Sequence, residues 1–193
     1  LSLPNTINSI GKGAFYGCSG ISGTLNLPES WVSIEAQAFV DCGIEDLHIP
    51  ESVKRIGPLA FSNTQWQLNL PDGIVYVDQC CLGRKGDIIG DLVIPEGTRL
   101  IADNAFDGPC IDGHVVFPNS LTIIGSMAFY NSGISDTLVL PNSLEEIGYA
   151  AFTDNYYIRG NLAVPNSVRR IGSYAFNGCH FIDSITLPAS LES

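Results

Sequence analysis

Six cysteines, three histidines and several adjacent carboxylates are the residues of this chain whose chemistry could carry a function. A zinc site draws on Cys and His at close, paired spacings, and His48, His114 and His180 do not fall into that pattern. A thiol nucleophile needs a neighbouring base, and the sequence marks none for the adjacent pair Cys80-Cys81. Cys81 reads as a core residue and Cys80 as an exposed one. Glu145-Glu146 offers two carboxylates, the raw material of acid–base catalysis, but adjacent acids are common on surfaces and nothing sets these two in a cleft. The chain has no phosphate loop of the G-x-x-x-x-G-K-[ST] kind and no glycine-rich calcium repeat. No catalytic, cofactor-binding or metal-ligating residue is therefore assigned, and neither an enzymatic activity nor a cofactor is expected.

Any function must then lie in a surface, and the composition narrows which kind. Nine basic residues stand against twenty acidic ones, for a net charge of −11. A grip on nucleic acid needs clustered Lys and Arg, so nucleic acid and anionic membranes are excluded, and the acidity reads as solubility and self-repulsion. No apolar run reaches the ~18 residues of a membrane span, so no direct membrane insertion is expected. Apolar residues make up 45% and charged ones 15%, with 20 Gly and 11 Pro. That balance fits many short elements joined by turns.

Proline sets a register that organises all of this. Pro4, Pro28, Pro50, Pro71, Pro95, Pro118, Pro141, Pro165 and Pro188 stand 24, 22, 21, 24, 23, 23, 24 and 23 residues apart. Eleven residues after the first eight come Phe15, Phe39, Phe61, Leu82, Phe106, Phe129, Phe152 and Phe176. This offset never varies, so the length differences lie in a surface turn, where insertions are tolerated. One and three residues before proline stand apolar pairs, such as Leu25 and Leu27, Leu68 and Leu70, Leu92 and Ile94, and Leu138 and Leu140. Alternation of this kind predicts a strand with one buried face, which proline ends. Six residues after proline the column is Ile or Val throughout, from Ile10 to Ile171, and predicts a second short strand. A small residue, usually Ala, precedes the aromatic and predicts one tight turn of 3-10 type. The polar pair after proline, as in Pro118-Asn119-Ser120, fits a turn whose side chains bond corner amides.

A single unit of this size cannot bury its own apolar face, but stacked units can. Stacking in register sets Glu145-Glu146 beside Arg169-Arg170. It also sets Cys18 near Cys42, in a column fourteen residues after proline that holds Cys179 as well, with Cys110 one place further on. Whether Cys18 and Cys42 are bonded stays open, because a disulfide demands particular side-chain vectors. The unit from Pro71 departs most, with Asp78, Cys81 and Leu82 in the Gly, Ala and Phe columns, but its register is expected to hold.

The columns combine as L-x-[LI]-P-[NED]-[ST]-x-x-x-[IV]-x-x-x-A-F, clearest in residues 1–15, 138–152 and 162–176, the last with Val164 in the [LI] place. This resembles the BspA-like leucine-rich repeat of bacterial and protozoan surface proteins. The resemblance covers essentially the whole chain. It implies a mainly β, right-handed parallel solenoid of about eight coils of 21–24 residues over 1–193, with short strands and short 3-10 turns. It further implies extracellular or surface display and a role in adhesion or partner binding. No signal peptide opens the chain, and both ends fall inside the repeated motif, so a piece of a longer array is expected.

The natural platform of such a solenoid is the outward side of its pre-proline strands. That side holds Thr24 and Asn26, Asp46 and His48, Gln67 and Asn69, Asp91 and Val93, His114 and Val116, and Thr137 and Val139. The ten residues from Asp46 to Val139 are the candidate partner-binding face, with Val93, Val116 and Val139 as a mildly apolar stripe. A protein partner is the first expectation. A surface glycan stacked on tyrosines outside the core columns is the second, and a spacer within a larger surface protein is the third.

Overall fold

The computed structural model describes residues 1, 3–180 and 184–192. We number the coils 1 to 8 from Pro4 to Pro165. Three ladders join one coil to the next. The first lies before proline and runs through short parallel pairs: Ser22–Asn26 with Gly43–His48, Leu92–Val93 with Val115–Val116, Ser135–Thr137 with Tyr157–Arg159, and Leu162–Ala163 with Ile185–Thr186. The second follows proline. Ser9–Ile10, Ser33–Ile34 and Arg55–Ile56 pair in parallel, as do Leu100–Ile101, Ile123–Ile124, Glu146–Ile147 and Arg170–Ile171. The third is a corner of tight turns. Their three-residue bonds, such as Tyr16 N–H to Gly13 and Tyr130 N–H to Met127, match the expected turn. A left-handed residue opens each one, for example Gln37 at φ 59° and Met127 at φ 53°, so no continuous 3-10 helix forms.

The aromatic column is the spine of the core. Phe15, Phe39 and Phe61 stack with centroids 5.4 Å apart, and Phe106, Phe129, Phe152 and Phe176 stack at 5.3 to 5.5 Å. Offset stacking of this kind adds to the burial of each ring. Phe15 and Phe176 are half-buried and the rings between them are buried. Close approach of successive backbones supports the stack. A Cβ on Gly148 would lie 2.5 Å from the Gly125 carbonyl carbon, so that corner accepts only glycine.

Coil 4 breaks the pattern. Tyr76-Val77 was expected in the second ladder, but Cys80 and Cys81 pair there with Leu100 and Ile101. Gly73–Val77 instead folds back on Cys80–Lys85 as an antiparallel hairpin around Asp78-Gln79, with Asp78 left-handed at φ 50°. The segment Gly-Ile-Val-Tyr-Val favours extended backbone, and a two-residue loop suits a hairpin. The expected register therefore slips by four residues, and Cys80 is buried rather than exposed. The pre-proline strand of this unit is also absent: Gln65–Asn69 is a short helix, and Leu68 is exposed. Thr64 caps that helix by accepting the Gln67 N–H, and Lys85 Nζ from the hairpin bonds the carbonyls of Leu68 and Leu70.

The hairpin splits the stack into two blocks. Coils 1–3 form one core around Trp31, Phe39 and Phe61, and that core also takes in Leu100, Ala102 and Ile123 of coils 5 and 6. Leu100 and Ile123 occupy the column that holds Ser9, Ser33, Arg55, Glu146 and Arg170 elsewhere. The first block therefore packs on the outer side of the second block's post-proline ladder. The second core runs from Cys81 to Ala175.

Candidate functional site

The structure divides the expected platform in two. Asp46 and His48 stand exposed on Gly43–His48. His48 Nε2 lies 3.7 Å from Asp46 Oδ2, and Nδ1 lies 3.7 Å from Asp78 Oδ1. Gln67 and Asn69 do not belong to this face. They sit on the helix, where Gln67 Oε1 accepts the Asn63 N–H and Asn69 Oδ1 accepts from Gln65. A cap at Thr64 and a lysine on the last carbonyls make a helical turn cheaper than a strand here.

Beyond the helix the face resumes. Asp91 Oδ1 accepts the His114 backbone N–H at 2.8 Å, and Val93 pairs directly with Val116. Val93, Val116 and Val139 are 57%, 50% and 68% exposed, as the outward assignment requires. Thr137 is exposed beside Arg159. The column continues through Ala163 and Thr186, so small and apolar residues run along coils 5 to 8. Exposed valines facing solvent on neighbouring rungs lose nothing by being covered, which is what a contact surface needs.

Titratable side chains serve the stack. Glu146 pairs with Arg170 in register, Nη2 to Oε2 at 2.6 Å, as the column pattern predicts. The serine column was expected to bond corner amides, but it mainly donates to carbonyls of the preceding coil: Ser30 to Ile7, Ser120 to Thr98 and Ser143 to Leu121. The cysteine column has a similar role that sequence reasoning missed. Cys42 and Cys179 donate to the carbonyls of Phe15 and Phe152, and Asn155 Nδ2 reaches Phe129 at 2.6 Å. The interchange of Cys, Thr, Ser and Asn in one column was the signal, since their common property is a short polar hydrogen donor.

All six thiols are free, Cys18 exposed and Cys42 buried. Burial pushes Cys80 and Cys179 up to about 11 and Cys81 up to about 12, so these sulfurs stay protonated at neutral pH and are poor nucleophiles. Among the described residues no group of His, Cys, Asp or Glu is arranged to hold a metal, and no helix is long and apolar enough to cross a membrane.

Apart from Tyr16 in coil 1, the off-column tyrosines Tyr130, Tyr149, Tyr156, Tyr157 and Tyr174 gather on coils 6 to 8. Tyr149 and Tyr174 meet edge to face at 5.8 Å, and Tyr156 meets His180 at 5.8 Å. Tyr130 and Tyr156 share hydrogen bonds with Asp154, which raise both phenols above their ordinary value. Near Tyr157 and Arg159, an open trough of about 1040 Å³ also holds Asp87, Asp112 and Asp136.

Comparison with known proteins agrees with this architecture. The profile of the BspA type leucine rich repeat region matches residues 1–112 and 85–193, in six copies. A leucine rich cell surface protein from Faecalibacterium prausnitzii superposes at a TM-score of 0.55 with 26% identity, over 98% of this chain and 53% of that one. The pneumococcal vaccine antigen PcpA superposes at 0.57 with 22% identity, over 97% of this chain and 50% of that one, and shows the fold alone. The chain thus spans about half the length of these solved relatives. No curated protein matches it.

Proposed function

The chain belongs to the BspA-type leucine-rich repeat family, and on that footing we propose that it is a non-catalytic, surface-displayed module that adheres by binding a protein partner. The observation that carries this reading is the exposed stripe of Val93, Val116 and Val139, of which Val93 and Val116 are paired on neighbouring strands. Flanking polar groups, Asp91, His114 and Thr137, supply the rim that such a patch needs for specificity. Asp46 and His48, beyond the helix, form a separate polar patch. The test is a chain with all three valines changed to lysine, screened beside the parent on a panel of immobilised extracellular proteins. The variant is expected to stay folded and lose the parent's binding; retained binding removes the stripe from consideration.

A second reading has its own observation. Tyr149 and Tyr174, both exposed, meet edge to face beside the Tyr130–Asp154–Tyr156 cluster, an arrangement that fits a glycan stacked on an aromatic ring with a carboxylate for its hydroxyls. A glycan array separates the two readings. Binding that survives the valine changes and is lost on Tyr149→Ala and Tyr174→Ala favours the sugar.

A further inference from the structure

In the corner ladder, backbone N–H groups nine and eleven residues after proline donate to the next coil. Gln37 donates to Pro58 at 3.0 Å and Phe39 to Ala60 at 2.8 Å; Asn104 donates to Ser126 at 2.9 Å and Phe106 to Ala128 at 2.7 Å. In coil 3 the same two donors are Leu59 and Phe61. Among the described residues neither has an acceptor, because the coil 4 hairpin has left the ladder at this point. The third donor of the set, Asn63, is served by the Gln67 side chain at 2.9 Å. Backbone donors that lack a partner are costly unless water or a ligand satisfies them.

Leu59 and Phe61 line a groove of about 490 Å³ at the junction of the two blocks. Trp66 and Leu82 also line it, so its wall beside the open donors is apolar. Asp107 adds a carboxylate. Arg84, the cation on the wall, is already engaged by the Gly86 carbonyl at 2.6 Å and by Asp87 at 3.7 Å.

We propose that this groove binds an extended peptide segment of a protein partner, which takes the place of the rung the hairpin displaced. Carbonyls of two alternate guest residues accept from Leu59 and Phe61, as Pro58 and Ala60 accept from coil 2. The guest continues an interface that the coils already use, and this is the mode in which a peptide adds to an open backbone edge. An apolar guest side chain lies against Trp66 and Leu82. Asp107, in a chain of net charge −11, favours a basic residue beside it. The proposal rests on the reading of the chain as a protein-binding module, but it uses a surface other than the valine stripe.

Two synthetic peptides test it. Both copy residues 124–130, a segment that forms this rung in coil 6, and they end in lysine or in glutamate. Amide hydrogen exchange is followed in the whole chain. Leu59 and Phe61 are expected to exchange faster than Gln37 and Phe39 in the free chain. The lysine-ended peptide at millimolar concentration is expected to slow them about tenfold, and the glutamate-ended one less. Slow exchange at Leu59 and Phe61 in the free chain, or rates unchanged by either peptide, would overturn the proposal. The triple valine-to-lysine variant keeps the two readings apart: peptide protection must survive in it, and loss of protection would place the peptide on the stripe instead.

Discussion

Arg55 Nε donates to Asp103 Oδ2 at 2.9 Å and so ties coil 3 directly to coil 5, past the coil between them. The guanidinium also reaches both oxygens of Glu35, at 2.7 and 2.8 Å. Nearby, the Asp103 N–H donates to the Ile56 carbonyl, and Arg99 of coil 5 donates to the carbonyls of Val53 and Pro50. These bonds replace the ladder that the hairpin removes.

Arg55→Ala leaves the buried Asp103 carboxylate without its cation and is expected to cost about 1–3 kcal/mol at neutral pH. Burial pushes the Asp103 carboxyl above its ordinary value, while the Ser126 N–H and Arg55 pull it back. A carboxyl raised in the fold stabilises fully below its unfolded value, and that stability is lost as pH rises through the folded value. Without Arg55 the carboxyl rises further, so the deficit of the variant should shrink as pH falls below the usual aspartate range. Urea melts at neutral and acid pH check this, and a deficit that is the same at both would contradict it.

Phe152 is stacked on both faces, by Phe129 at 5.3 Å and Phe176 at 5.5 Å. Phe152→Ala and Phe129→Ala are each expected to cost about 3–5 kcal/mol in a denaturant melt. Phe15, half-buried and stacked on Phe39 alone, should cost distinctly less on the same change.

Asn155 is fully buried and joins coil 7 to coil 6. Its Nδ2 donates to Phe129 and Phe152, and its Oδ1 accepts from the Ser132 hydroxyl and the Ile134 N–H. Asn155→Ala is expected to destabilise by about 1–3 kcal/mol for each group left without a partner. Asn155→Cys should recover part of the loss, because Cys42 and Cys179 make the equivalent donation. Thermal melts of the three proteins rank them; an alanine variant as stable as the parent would remove the role.

Leu100 and Ile123 couple the two blocks. Leu100→Ser restores the polar residue that other coils carry and should cost about 2–5 kcal/mol by opening that contact. With the coupling weakened, the blocks are expected to unfold in two steps, since each rests on its own stack. A single transition that simply shifts to lower temperature would count against separate blocks.

Much of this architecture could be read from residue spacing. The invariant eleven-residue step from proline to phenylalanine, the alternating apolar pairs and the Ile/Val column name the ladders and the core, because stacking makes identical positions touch. Glu146 and Arg170 could be paired on paper for the same reason. The outward setting of Val93, Val116 and Val139 followed from period-two alternation alone.

What the tertiary structure decided lies where the repeat is imperfect. Ile74, Val75 and Val77 satisfy the alternation of a hairpin as well as the columns of a coil, and only contacts with coils 3 and 5 choose between them. Gln67 and Asn69 went to a helix because Thr64, just before it, caps one end and Lys85, brought in by the hairpin, binds the carbonyls of Leu68 and Leu70 at the other. Leu100 and Ile123 carried a legible sign, apolar residues in a polar column, but the surface that covers them belongs to another block. A repeat specifies contacts between equivalent positions; contacts between unlike positions, which set the junction and its groove, depend on how the two stacks meet in space.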